Sequence, residues 1–328
     1  MDSCPKKNIS SILIVMLFLA LILGSACHSN IEDAEAYFRL GNLYFSAENY
    51  DDAIKQYDEA IKLNPQHAEA YNKRGNAYYY LEEYENALEN YNEVIRLDSE
   101  DSEAYFNRGN AYCGLGDYES GISDYDEAIR LDPDYVNAYN NRCGAYNERG
   151  EYSSGIEDCS QAINIDPECA AAYYNRGNAY CGLGDYESGI NDYDEAIRLE
   201  PNYTNAYSNR GSAYYYLEEY ESALENYDEV ILLDPQDPEA YFNRGIVYCR
   251  LGDYENGIED YNEAIRLDPQ NATFYVARAL EYLNMNMEEK AEQDINKAID
   301  LGFDPDFLEW ILEQAEEQDY QFNFEDII

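Results

Sequence analysis

Residues 108–122 read RGNAYCGLGDYESGI, and residues 176–190 read RGNAYCGLGDYESGI again without a change. A glycine-rich turn of this kind invites a phosphate-binding reading. Phosphate loops, however, follow a strand and carry a cation, usually Lys. Here Asp117 and Glu119 stand where the cation is needed, and the segments on either side have helical periodicity. The repetition is therefore the stronger signal.

The two copies lie two periods apart. Counting from Ala34 as position 1, blocks of 34 residues begin at Ala34, Ala68, Ser102, Val136, Ala170, Thr204, Pro238 and Ala272. Position 4 is Tyr in every block, from Tyr37 to Tyr275, and so is position 11, from Tyr44 to Tyr282. Position 8 is Gly in six blocks, position 20 is Ala or Gly, position 27 is Ala or Val, and position 32 is Pro in six. Positions 4, 8 and 11 share one face of a helix, and positions 20, 24 and 27 share one face of a second. Gly116 suits the left-handed residue that ends the first helix, Asp117 suits the N-cap of the next, and Pro133 stops it. Small residues at positions 8 and 20 let the two antiparallel helices approach closely. One hairpin cannot bury its own apolar face, so neighbours must stack.

This spacing resembles the tetratricopeptide repeat family over residues 34–305. Position 4, usually Trp in that family, is Tyr here, position 7 is mostly Arg instead of Leu, and the last block has lost several signature residues. The resemblance implies an all-α fold: an α-solenoid, coiled as a right-handed superhelix, of about eight helix hairpins. They span 34–67, 68–101, 102–135, 136–169, 170–203, 204–237, 238–271 and 272–305. Residues 306–328 read as a capping helix and tail, with Phe307, Leu308, Ile311 and Leu312 at helical spacing beside Trp310. The resemblance also implies a concave groove lined by positions 2, 5, 9, 12 and 13 of each first helix. The groove candidates are Phe38, Asn42, Phe45, Asn76, Tyr79, Phe106, Asn110, Tyr174, Asn178, Tyr215 and Phe242. Their amides suit an extended peptide backbone and their rings its side chains; the alternative is that some only satisfy neighbouring helices. Family members that clamp acidic C-terminal peptides use cations at positions 2, 5 and 6. Only Arg39 and Lys73 qualify here, so such a clamp is not expected. The arginines at position 7, from Arg74 to Arg278, are expected to pair with carboxylates of adjacent helices.

The chain has 68 acidic and 21 basic residues, a formal charge of −47, with 37 Tyr and only 2 His. That charge repels nucleic acid and favours basic or neutral protein and peptide partners. With His28 and His67 as the only histidines, no Ser-His-Asp or Cys-His set can be assembled, and no enzyme activity or cofactor is expected. Cys113, Cys181 and Cys249 recur at position 12 of alternate blocks, too far apart for a shared metal, and read as small groove-lining side chains. Cys143 and Cys159 differ from these. They replace Gly at position 8 and Tyr at position 24, which lie level in a hairpin turning near positions 15–16. They are a candidate disulfide, the alternative being two buried thiols.

Residues 1–26 read as a signal peptide: Lys6 and Lys7, then an apolar run of 12 residues from Ile12 to Leu23, then Gly24, Ser25 and Ala26. With Cys27 this segment resembles the lipobox of bacterial lipoproteins, which implies a lipidated Cys27, a short linker over residues 27–33, and an outer-membrane destination in a diderm cell. Plain cleavage after Ala26 and an uncleaved anchor are the alternatives. The expected function is a non-enzymatic, membrane-anchored scaffold that binds protein partners in the cell envelope. Alternatives are a secreted or surface structural protein and, if the N-terminal signal is misread, an intracellular adaptor.

Overall fold

The computed structural model describes residues 30–308. Cys27, the apolar run before it, and Trp310, Ile311 and Leu312 lie outside these residues. The chain divides into two compact units, Met1–Pro167 and Glu168–Ile328. All the regular structure among the described residues is helical.

The first unit contains α1 (Asn30–Ser46), α2 (Tyr50–Leu63), α3 (Ala68–Tyr80), α4 (Tyr84–Leu97), α5 (Ser102–Gly114), α6 (Tyr118–Leu131), α7 (Val136–Glu148) and α8 (Tyr152–Ile165). The second contains α9 (Ala170–Gly182), α10 (Tyr186–Leu199), α11 (Thr204–Tyr216), α12 (Tyr220–Leu233), α13 (Pro238–Arg250), α14 (Tyr254–Leu267), α15 (Ala272–Asn284) and α16 (Glu288–Asp300). Each consecutive odd–even pair is one hairpin. Phe307 and Leu308, at the start of the expected capping segment, pack against Tyr275, Val276 and Leu280 of α15.

The hairpin turn obeys one backbone rule. Position 15 is left-handed in every block, at Gly116 (φ 78°) and Gly184 (φ 80°) but also at Glu48 (φ 58°), Glu82 (φ 59°), Glu218 (φ 61°) and Asn286 (φ 57°). Glycine adopts this conformation freely, whereas a residue with a Cβ is strained by it. The next helix is then capped: Asp117 accepts from the Ser120 N–H and Asp185 from the Ser188 N–H.

Within a hairpin, the side chain at position 24 holds the helices together. The Tyr57, Tyr91, Tyr125 and Tyr193 rings lie on the bare Cα of the position-8 glycines. A Cβ placed on Gly41, Gly75, Gly109 or Gly177 would stand 2.5, 2.7, 2.8 or 2.7 Å from the ring Cε1. In the fourth hairpin the same space holds a disulfide between Cys143 and Cys159, whose Cα atoms are 5.6 Å apart. Both cysteines are fully buried.

Between hairpins, the arginines at position 7 form a ladder. Arg108 binds Asp124 through two bonds of 2.7 Å, from Nε and Nη2. Its Nη1 reaches back to Asn92 of the preceding hairpin. Arg142 repeats this with Asp158 and Asp126, and Arg244 with Asp260 and Asp228. Where the own-hairpin partner is Asn, as in Arg74–Asn90 and Arg210–Asn226, the back-reaching partner is Asp58 or Asp194. Each of these guanidiniums thus keeps at least one carboxylate. Each also sits 5.3–5.7 Å from the centroid of the tyrosine at position 4 of its own block. The Arg142 and Asp158 side chains are only 15% and 7% exposed, so removing either leaves a charge stranded.

Two substitutions test this account by chemical denaturation. Gly75→Ala, which would gain about 1 kcal/mol at an open helical site, should instead destabilise by roughly 1–3 kcal/mol because the Tyr91 ring blocks the methyl group. Glu82→Gly should stabilise by about 0.5–1 kcal/mol by relieving the left-handed turn.

Candidate protein-interaction groove

In the first unit, α1, α3 and α5 present their inner faces side by side. The rings at position 12 depend on the residue at position 20. Where position 20 is Gly, position 12 turns inward: a Cβ on Gly121 would be 2.4 Å from the Cys113 Sγ, one on Gly189 2.4 Å from the Cys181 Sγ, and one on Gly155 of the fourth hairpin 2.4 Å from the Asn147 Oδ1. Where position 20 is Ala, as at Ala53, Ala87 and Ala223, position 12 is Phe45, Tyr79 or Tyr215. The cysteines therefore face the helix crossing and not the groove. Burial pushes the Cys113 and Cys181 thiols above the ordinary thiol range, which takes them away from nucleophilic chemistry.

A pocket of about 320 Å³ opens on this face, lined by Phe45, Lys73, Asn76, Tyr79, Tyr80, Tyr91, Phe106, Asn107 and Asn110. Its amides are oriented by internal bonds. The Tyr91 hydroxyl donates to Asn76 Oδ1 at 2.8 Å, and the Tyr125 hydroxyl donates to Asn110 Oδ1 at 2.7 Å. Asn141 of the next hairpin also donates to Asn110 Oδ1, at 2.9 Å. Asn107 donates to Asn72 Oδ1 at 3.1 Å. The Nδ2 donors of Asn76 and Asn110 and the Oδ1 acceptor of Asn107 are thereby left for the pocket. The lining contains no carboxylate and one ammonium, on Lys73.

The residues read as groove-lining from the sequence do not share one environment. Phe45, Asn76, Tyr79, Phe106 and Asn110 meet at the pocket. Phe38 and Phe242 are 5% and 1% exposed and belong to the core, which corrects their placement in the groove. The cause is the ring at position 34 or just beyond it: His67 lies 4.7 Å from Phe38, and Phe274 lies 4.8 Å from Phe242. Phe106 and Tyr174 are half-buried against Tyr135 and Tyr203 in the same way. Asn42 and Asn178 accept from Tyr57 and Tyr193, so they too serve the hairpin first. Lys73, Tyr80 and Asn107 were not among the candidates; Tyr80 sits at position 13, a groove position by the family resemblance, whereas Lys73 and Asn107 sit at position 6 and are brought in by the packing of neighbouring hairpins.

The second unit closes the corresponding surface. Arg250 holds the place that Gly114 has in the third hairpin, and its Nε donates to the Tyr215 hydroxyl at 2.8 Å. Ile246 replaces the asparagine at position 9. Tyr215 is therefore bound within the protein.

A stack of helix hairpins with a polar, aromatic inner face defines a helical-repeat binding protein. Sequence profiles described as "TPR repeat" match residues 41–81, 75–116, 144–184, 177–218 and 211–252. Those described as "Tetratricopeptide repeat" match 102–135 and 238–271, and also 272–302. The chain belongs to the tetratricopeptide repeat family. No curated protein matches it in sequence. Among solved structures, a tetratricopeptide repeat protein from Parabacteroides merdae is similar over 76% of this chain and 99% of its own, at 19% identity and a TM-score of 0.59. A chain of the APC/C hetero-tetramer Cut9–Hcn1 is similar over 91% of this chain and 58% of its own, at 14% identity and a TM-score of 0.61. The C-terminal part of a repeat protein from Cytophaga hutchinsonii is similar over 72% and 97%, at 20% identity and a TM-score of 0.54. These likenesses establish the fold.

Asn110→Ala strands the Tyr125 hydroxyl and the Asn141 amide. It should lower stability by about 1–3 kcal/mol in urea titration. Lys73→Ala, which breaks no internal bond, should change stability by less than about 0.5 kcal/mol.

Proposed function

We propose that the protein is a non-enzymatic scaffold whose first unit holds an extended segment of a partner protein across α1, α3 and α5. The orientation of the three asparagines carries this reading. Two amide donors and one amide acceptor match the alternating C=O and N–H groups of a peptide backbone, while Tyr79, Tyr80 and Phe106 offer faces to its side chains. The tetratricopeptide fold supports protein or peptide partners as the ligand class. The pocket itself favours neutral or acidic side chains beside Lys73, although the acidic remainder of the chain favours basic ones. Binding of the segment is by geometry and hydrogen bonds, with no chemical step.

We further propose that the scaffold is tethered to a bacterial envelope membrane by acylation of Cys27. The support is the order Lys6-Lys7, apolar run, small residues, Cys27. Six residues, 28–33, then separate the anchor from the first repeat, so the groove would work near the lipid surface.

Random peptides displayed on phage and selected on the full chain supply the ligand for the test. Isothermal titration should show that Asn76→Ala and Asn107→Ala each weaken a selected peptide about 3- to 10-fold, one lost hydrogen bond apiece. Unchanged affinity in the double variant would place the peptide elsewhere and refute the groove assignment. Intact mass of membrane-extracted protein should show an N-terminus at Cys27 with added acyl chains; a retained Met1 in the soluble fraction would refute the anchor.

A further inference from the structure

Tyrosine stands at position 17, the first residue of the second helix, in seven blocks: Tyr50, Tyr84, Tyr118, Tyr152, Tyr186, Tyr220 and Tyr254. The rings of Tyr50, Tyr84 and Tyr186 pack against position 13 of the following hairpin. At most joints that residue is not aromatic: Gly114 lies against Tyr84, and the blocks after Tyr118, Tyr220 and Tyr254 have Glu148, Arg250 and Asn284. At two joints it is a second tyrosine. Tyr50 stacks on Tyr80 with centroids 5.2 Å apart and planes 8° apart. Tyr186 stacks on Tyr216 with centroids 5.0 Å apart and planes 14° apart.

Near-parallel stacking holds the two phenol rings side by side with their faces aligned, so two ring radicals formed there are already paired. Other close tyrosine pairs differ: Tyr79–Tyr84 meet at 64°, Tyr215–Tyr220 at 57° and Tyr174–Tyr203 at 35°. Access also favours the first stack, since Tyr80 is 59% exposed. Burial, with Glu48 and Tyr80 nearby, holds the Tyr50 phenol above its ordinary range, so it is present as the neutral phenol.

We propose that Tyr50–Tyr80 and Tyr186–Tyr216 are sites of intramolecular dityrosine formation, driven by hydrogen peroxide acting through a haem peroxidase. Each phenol gives up one electron and one proton. The two electrons and two protons reduce one peroxide to two waters. The two phenoxyl radicals form one carbon–carbon bond between their ortho carbons. The hydrogen on each bonded carbon then moves to its own ring oxygen, restoring both phenols. The products link α2 to α3 and α10 to α11. In the first unit the link also ties down Tyr80, a wall of the pocket, so oxidation stiffens the joint beside the groove.

The full chain, kept dilute to suppress coupling between molecules, is treated with a haem peroxidase and hydrogen peroxide. The monomer band on a denaturing gel should gain dityrosine fluorescence. Peptide mapping should find the Tyr50 and Tyr80 peptides, and the Tyr186 and Tyr216 peptides, joined with the loss of two hydrogens. Tyr80→Phe keeps the ring stack but has no phenol to oxidise; it should abolish the first product and keep the second. Tyr50→Phe should do the same, which guards against a folding defect in one variant, while Tyr84→Phe should keep both products. Coupling mainly at Tyr174–Tyr203 or other tilted pairs, coupling only between molecules, or a Tyr50 crosslink surviving in Tyr80→Phe would each overturn the proposal.

Discussion

A tyrosine ring resting on a bare glycine Cα sets the spacing of the two helices in most hairpins. Position 24 supplies the ring and position 8 the absence of a side chain, and neither works alone. The tyrosine hydroxyl then needs an acceptor, which is the asparagine at position 9. That bond turns the amide so that its Nδ2 faces the groove. The internal requirement of one hairpin therefore decides which polar atoms a partner meets. Where position 9 changes, the groove changes with it: Ser212 replaces the amide in the sixth hairpin and Ile246 in the seventh.

The second constraint is electrostatic. An excess of carboxylates would push neighbouring hairpins apart if their charge were left uncompensated. The arginine at position 7 answers this by binding a carboxylate at position 23, one in the preceding hairpin, or both, as Arg108, Arg74 and Arg142 show in turn. Desolvated, bidentate pairs of this kind are geometrically strict, so they also fix the register between hairpins. The same arrangement removes these arginines from partner binding. Surface cations are engaged likewise, as in Arg130–Glu127 and Arg266–Glu263. Lys73 is left to mark the pocket of the first unit, and this makes that pocket unlike the rest of an acidic surface.

The fold was legible because its rules repeat with the chain. Tyr at positions 4 and 11 and Gly at position 8 announced the hairpins, and the Arg–carboxylate pairing followed from an arginine on a packed face. The groove was harder to read. Position 5 in a first helix looks exposed until the next turn folds over it, and so Phe38 and Phe242 are core. The exchange of Cys with Gly against Tyr or Phe with Ala at positions 12 and 20 was present in the sequence and settles where the sulfur points. It needs the helix crossing distance to be interpreted. The repeated RGNAYCGLGDYESGI thus marks two hairpins whose cysteines turn inward. At position 12 the rings that line the first unit's pocket are Phe45 and Tyr79, from hairpins 1 and 2. Closure of the second unit by Arg250 has no local signal, because it joins side chains 35 residues apart.

The fourth hairpin tests whether the ring-on-glycine contact is what holds a hairpin together. Its disulfide occupies the same two positions, so the two devices should be interchangeable. The measurement is hydrogen exchange of α7 and α8 in the full chain with and without reductant. Cys143→Ser with Cys159→Ser should open this hairpin under both conditions. Cys143→Gly with Cys159→Tyr should keep it protected under both, whereas the natural pair loses protection only once reduced. If the Gly–Tyr exchange leaves the hairpin as open as the Ser–Ser exchange, the contact at positions 8 and 24 is not the interaction on which the fold depends.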